Sequence, residues 1–239
     1  AWASGKPLVT VDHILGHLYA PQLENPIEYP FIGLLVSGGH SIICRMDGPD
    51  SLTVLGASID DAVGEAFDKV AKHYGQGYPG GKAIDDLARQ GDPHAFNFPH
   101  PHLHKGSHPY DVSYSGLKNA VVNQLHIFRN GQAEASVANI AASFERVAVD
   151  ILVRRAVKAA HDQGLTRMVI GGGVAANTYL RTALAAEKGI QASFPSFALC
   201  ADNAAMIAGL GYHLLARGDR SPFSENASPR VAGFRKAYP

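Results

Sequence analysis

His13 and His17 stand four residues apart, just behind an apolar run of Leu8, Val9 and Val11. Four residues is about one helical turn, so a helix starting near Asp12 presents both imidazoles on one face, close enough to share a metal ion. Two imidazoles do not complete a protein-held metal site; a third donor is needed. Paired His residues also occur on helices as partly buried groups held by hydrogen bonds, and the pair alone does not separate the two readings. One metal chemistry is excluded at once. A zinc peptidase helix of the H-E-x-x-H type places its general base directly after the first His, and Ile14 stands there.

Three further constellations have the residue types for ligand binding. Ser37-Gly38-Gly39-His40 lies between two apolar runs. As a Gly-Gly hairpin it would expose backbone N–H groups able to wrap a phosphate, with Ser37 and His40 adding donors. Gly171-Gly172-Gly173-Val174-Ala175-Ala176-Asn177 falls between an expected strand and an expected helix, where small residues let a ligand approach the backbone. It departs from the dinucleotide fingerprint at Ala176 and lacks the Lys of a P-loop, and Asn177 also reads as a plain N-cap. The carboxylates Asp60, Asp61, Glu65, Asp68, Asp85, Asp86 and Asp202 begin or sit on expected helices. Asp60, Asp61 and Asp86 read as caps or solvated charges. Asp68 and Asp85 flank the loop Gly77–Gly81, where a sugar or amino-acid group could lie against exposed backbone. Asp202 precedes an almost wholly apolar helix and is either its N-cap or a ligand.

The elements that must carry these groups follow from periodicity and breakers. Residues 7–12 read as a short buried strand, and a helix runs from Asp12 to Leu23 with Asp12 as N-cap. Pro21, Pro26 and Pro30 mark a linker. Phe31–Val36, Ser41–Met46 and Leu52–Leu55 read as three antiparallel strands. From Asp60 the spacing of Ala62, Ala66, Phe67, Val70 and Ala71 is helical, as far as Gly75. Residues 75–81 form a loop, and Ala83–Ala88 is a short helix. Residues 91–115, with four Pro and five His, read as an irregular insertion. Val137, Ile140, Ala141, Phe144, Val147, Ala148, Ile151 and Leu152 form one long helical stripe. Strand Arg167–Ile170, helix Asn177–Lys188, strand Gln191–Phe194 and helix Asp202–Ala216 complete an α/β order. The tail beyond Gly218 reads as loose.

At 239 residues with 46% hydrophobic content, the chain can bury a substantial core. Its 21 basic and 21 acidic residues cancel, which is not the charge of a protein that grips nucleic acid alone by counterion release. No apolar run approaches the roughly 20 residues of a membrane span. With only Cys44 and Cys200, neither a disulfide scaffold nor a thiolate metal site is available, and a reducing cytoplasm is the expected location.

Taken together, seven stretches in order resemble the TsaD family, tRNA adenosine threonylcarbamoyltransferases once labelled O-sialoglycoprotein endopeptidases. They are Val11-Asp12-His13-x-x-Gly16-His17, Val36-Ser37-Gly38-Gly39-His40, Gly64-Glu65-Ala66-Phe67-Asp68-Lys69, Gly77-Tyr78-Pro79-Gly80-Gly81, Tyr114-Ser115-Gly116-Leu117-Lys118, Gly172-Gly173-Val174-Ala175-Ala176-Asn177 and Cys200 through Ala208. The resemblance implies an actin-like ATPase fold of the sugar kinase and Hsp70 superfamily. It also implies transfer of a threonylcarbamoyl group from threonylcarbamoyl-AMP to N6 of the adenosine beside the anticodon of ANN-decoding tRNA. Carried over by position, His13, His17 and Asp202 match the metal ligands, for one iron(2+) or zinc(2+) ion per subunit. Val36, Ser37, Gly38, Gly39, His40, Asp68, Gly81, Asp85 and Asn177 match the positions that hold the adenylate. A paralogous actin-like partner and a small ATPase are implied as well, with no membrane.

The resemblance further implies a division of the chain. Residues 1–26 would be a remnant of a first lobe, 27–200 a second lobe with an inserted loop at 75–115, 201–217 a helix returning to the cleft, and 218–239 a polar tail. A first-lobe segment ahead of Ala1 is expected. The family commonly has Glu where Leu15 stands, so any help from that carboxylate is missing here. Three rivals remain open: a kinase or ATPase of the same fold, a metallopeptidase, and a binding module without turnover.

Overall fold

Phe31–Val36 is six residues without a charge, all buried, and the rest of the sheet is laid down beside it. A strand covered on both faces needs such an unbroken apolar run. The computed structural model describes residues 1–101 and 109–228. In chain order its elements begin with α1 (His13–Tyr19), β1 (Phe31–Val36), β2 (Ser41–Gly48), β3 (Ser51–Ala57), α2 (Val63–His73) and α3 (Gly80–Ala88). They continue with α4 (Ser115–Asn123), α5 (Leu125–Phe128), α6 (Val137–Asp162), β4 (Arg167–Gly171), α7 (Thr178–Ala186), β5 (Gln191–Ser193), α8 (Phe197–Cys200) and α9 (Ala204–Arg217).

The five strands lie in the order β3-β2-β1-β4-β5. β1 pairs antiparallel with β2 and parallel with β4, and β4 is parallel to β5. Alternation sorts the side chains of β1 between two cores. Ile32, Leu34 and Val36 join the larger cluster with Phe67 of α2 and Phe144 of α6, whose rings lie 5.1 Å apart. Phe31 and Leu35 join Ile14 and Leu18 of α1 on the opposite face. Ser136 caps α6 through Asn139 N, and the stripe read from the sequence is buried along it from Ile140 onward, with Val137 half-buried at its start.

Several boundaries differ from expectation. Residues 7–12 form no strand and none of them is buried; Ser221 N donates to Leu8 O and Thr10 N to Ser221 Oγ, so the tail serves their backbone in place of a sheet. The tail is therefore tied down at Ser221, while residues 229–239 lie outside the described residues. α1 stops at Tyr19 and tightens into a 3-10 turn, Ala20–Leu23, because Pro21 has no N–H to continue it. α2 begins at Val63, not Asp60; the Asp60 carboxylate instead accepts from Tyr114 N and Ser115 N at the start of α4. α3 starts at Gly80, inside the expected loop. Neither α4, α5 nor α8 was expected.

The 91–115 stretch is irregular where it is described, but it is not a surface insertion. Phe96, Phe98, Tyr110, Val112 and Tyr114 are buried in the main core. Of its five His residues, His102, His104 and His108 lie outside the described residues.

One close approach sets the mouth of the fold. A Cβ at Gly64 would meet Ser37 O at 2.5 Å, so the start of α2 packs directly on the turn after β1. Gly64→Ala should destabilise the chain by about 1–3 kcal/mol by forcing these backbones apart. Urea unfolding checks this, and an unchanged midpoint would show that the contact is not required.

Candidate metal centre and nucleotide cleft

α1 is held in place before its imidazoles can be used. The Asp12 carboxylate accepts from Ile14 N at 2.8 Å and Leu15 N at 3.1 Å, which fixes the first turn. His13 and His17 then meet edge to face one turn apart, with ring centroids 4.6 Å from each other. The third donor arrives from far along the chain. Asp202 Oδ1 lies 3.0 Å from His17 Nε2 and 3.3 Å from His13 Nε2.

Asp202 is not the N-cap of α9. Asn203 takes that role, accepting from Met206 N at 2.9 Å, and so leaves the carboxylate free to face the rings. The approach is close because Gly16 carries no side chain; a Cβ there would meet Ile207 Cδ1 at 3.0 Å. Arg181 secures the segment ahead of Asp202. Its guanidinium packs on the rings of Phe194 and Phe197 and donates to Ala175 O and Pro195 O.

The three residues each offer one donor atom, all within 4.8 Å of one another. Two imidazoles and a carboxylate suit a divalent iron or zinc ion. Burial, and then the neighbouring His13, push the pKa of His17 down, which favours the neutral ring that metal binding requires. His17 Nδ1 is buried with no partner among the described residues. On this donor set the residues fit a metal.

Beside this cluster is a cleft of about 640 Å³, a volume that suits a nucleotide-sized ligand. Gly38, Asp68, Gly81, Asp85 and Asn177 line it, as does Ala201 next to the metal donors. Gly39 and His40, on the same turn as Gly38, are exposed. Val36 is fully buried in β1, and the turn is closed by Ser37 N donating to His40 O at 2.8 Å. Burial and then His13 lower the pKa of His40, which ties the turn electrostatically to the metal donors. Asp68 Oδ1 accepts from Gly80 N at 2.7 Å and so fixes the start of α3.

Asp85 and Asn177 are the most constrained pair. Asp85 Oδ1 accepts from Thr178 N at 2.9 Å, Thr178 Oγ1 at 2.7 Å and Asn177 Nδ2 at 3.2 Å. Asn177 Oδ1 caps α7 through Leu180 N, and its Nδ2 also donates to Glu145 Oε1 at 2.6 Å. The Asn177 amide is thus engaged at both ends. Sequence reasoning missed Thr178 and Glu145. For Glu145 a signal existed: Ala141, Glu145, Ala148 and Leu152 share one helical spacing, which puts a carboxylate on the buried side.

A mixed five-stranded sheet with helices on both faces, opening into a cleft at the ends of its parallel strands, defines this chain as an actin-like α/β protein. The solved structure of full-length HypF in its phosphate- and nucleotide-bound form has the same fold, with a TM-score of 0.70 at 14% identity over 92% of this chain and 38% of that one. The family model described as TsaD, tRNA N6-adenosine threonylcarbamoyltransferase, matches residues 1–209. A Treponema denticola relative of that name is 60% identical over 99% of this chain and 70% of its own length. Relatives of the same name from Treponema pallidum and Borrelia duttonii are 50% and 46% identical, and the chain spans 67% and 68% of their lengths. The chain belongs to the TsaD family of tRNA-modifying transferases. Among the described residues, no helix is long and apolar enough to cross a membrane.

Glu145 gives the site a pH signature. Desolvation, and then the Asp85 charge beside it, push its pKa up to about 7, above the ordinary 4.5. The folded state then holds a proton that the unfolded state has lost, so stability falls as pH rises from about 4.5 to about 7 and levels off beyond. The loss amounts to roughly 3 kcal/mol. Glu145→Gln should remove this slope. Urea midpoints measured across that range test it, and an equal slope in both proteins would count against the assignment.

Proposed function

We propose that this chain forms the cleft in which threonylcarbamoyl-AMP gives up its threonylcarbamoyl group to N6 of the adenosine beside the anticodon of ANN-decoding tRNA. The observation that carries this reading is the convergence of His13, His17 and Asp202 at the edge of a nucleotide-sized cleft walled by Asp68, Asp85 and Gly81. In the reaction, the amine nitrogen bonds to the carbamoyl carbon and the bond from that carbon to the phosphate oxygen breaks. AMP departs with the electron pair, and the amine loses a proton. An acyl adenylate is already activated, so the protein's task is to place the amine and to favour the charge that develops on the carbonyl oxygen.

His13, His17 and Asp202 would hold the metal, iron in this reading with zinc as the alternative. When bound, it would supply Lewis-acid polarisation of the acyl or carboxylate oxygens. The turn at Gly38 and Gly39, where no atom crowds either α-carbon, suits the phosphate. Asp68 and Asp85, both fixed in orientation by backbone N–H donors, would receive the ribose hydroxyls. Because the Asn177 amide is engaged within the protein, its role would be to orient Asp85, leaving the base to the backbone of residues 173–176.

The equal counts of acidic and basic residues favour a shared grip on tRNA, with a paralogous actin-like protein and a small ATPase as partners in the cytoplasm. Residues 27–200 would act as one lobe, with 1–26 and 201–217 bordering the cleft. His13→Ala should abolish bound metal and lower transfer on the order of 10²-fold or more. The assay supplies tRNA, threonylcarbamoyl-AMP and the partner proteins, with metal analysis alongside. Normal transfer by a metal-free variant would remove the Lewis-acid role.

A further inference from the structure

Two carboxyl groups share one amide beneath the cleft. Glu145 projects from α6 with 4% of its surface exposed, and its Oε1 takes Asn177 Nδ2 at 2.6 Å. The same Nδ2 reaches Asp85 Oδ1 at 3.2 Å, and Asp85 is itself 7% exposed. Three elements meet here. α3 contributes Asp85 and Arg89, with Arg89 Nη2 3.8 Å from Asp85 Oδ2. The start of α7 contributes Asn177, Thr178 and Tyr179, and Tyr179 Oη donates to Asp150 on α6. α6 also carries Arg146, which pairs with Asp150 at 3.7 Å. Arg89 is thus the cation that faces the two carboxyl groups, and it is more than half exposed.

We propose that Glu145 is a positioning residue for the adenylate: from below the cleft it fixes the Asn177 amide and, through it, the Asp85 carboxylate that meets the ligand. This rests on the reading of the cleft as an adenylate site. Two carboxylates this close in a dry setting resist ionising together. Asp85 is tied to α7 by three donors and cannot swing away. Glu145 therefore keeps its proton to near neutral pH, with its pKa pushed up to about 7 by burial and by Asp85. While Glu145 is protonated, no second carboxylate charge stands beside Asp85, which is free to accept from ribose hydroxyls. Once Glu145 ionises, like charges oppose each other under an anionic ligand, and affinity falls.

The probe is adenosine 5′-methyl phosphate, a phosphodiester whose charge does not change near neutrality, titrated calorimetrically into the full chain. From about pH 6 to about pH 8, the unsubstituted protein should lose roughly tenfold in affinity. Glu145→Gln keeps an acceptor for Asn177 without a titrating group, and should lose less than about twofold over that range. Contributions from His13, His17 and His40 enter both proteins alike, so the difference between slopes is what is read. Glu145→Met, of similar length but with no acceptor, should also be flat yet weaker at every pH, and it decides the question if the Gln variant does not fold. Equal slopes in the unsubstituted and substituted proteins would overturn the role of Glu145 and leave the adenylate reading standing. No binding by the unsubstituted chain at any pH would overturn both.

Discussion

Burying a strand on both faces is the constraint from which the rest of the molecule follows. β1 cannot face water anywhere, so α1 must cover one side while α2 and α6 cover the other. Its two neighbours run in opposite senses, β2 antiparallel and β4 parallel. The carboxyl ends of β1 and β4 therefore emerge together, and the chain leaving β4 must turn directly against the backbone of β1. Gly172, at φ 92° with Val36 O only 2.4 Å from where a Cβ would sit, meets that demand. The turns that follow, Ser37–His40 and Gly172–Asn177, become walls or supports of the cleft. Ligand sites in open α/β sheets collect at such strand ends for this reason.

The sheet and the long helix were legible because periodicity records burial directly. Phe31–Val36 and the Ile140–Leu152 stripe each state which faces are covered. What was not legible depended on partners remote in sequence. Residues 7–12 look like a strand by composition, but a strand needs a neighbour, and the neighbour supplied is Ser221. Asp60 looks like the cap of the helix beside it and serves one that starts more than fifty residues later. The candidate metal donors were named through the family's motifs, and the structure brings them together, whereas Asn203 outcompeting Asp202 for the cap depended on local backbone geometry. Glu145 was overlooked because its neighbours made the stripe look purely apolar.

Carboxylates in this protein divide by what neutralises them. Asp61 lies between Lys69 and Lys118 at 2.8 Å each, and Asp86 pairs with Lys82 and Arg89 in the open. Those are structural or solvated charges of modest worth. Asp85 and Glu145 instead take their hydrogen bonds from the neutral donors of Asn177 and Thr178, with only the exposed Arg89 guanidinium at 3.8 Å from Asp85 as a nearby cation.

The three candidate metal donors run from His13 to Asp202, and His17, the nearer imidazole, is itself 185 residues from the carboxylate it meets. No part of the chain shorter than that contains the set. While the chain is being synthesised, the two imidazoles emerge before Asp202 and stay without its carboxylate until everything between them and α9 has been made. Closing so long a loop is entropically unfavourable until β1 and β4 have paired and brought α1 beside α9. The centre is thus a late product of folding, and a bound ion would report that the intervening fold is already in place.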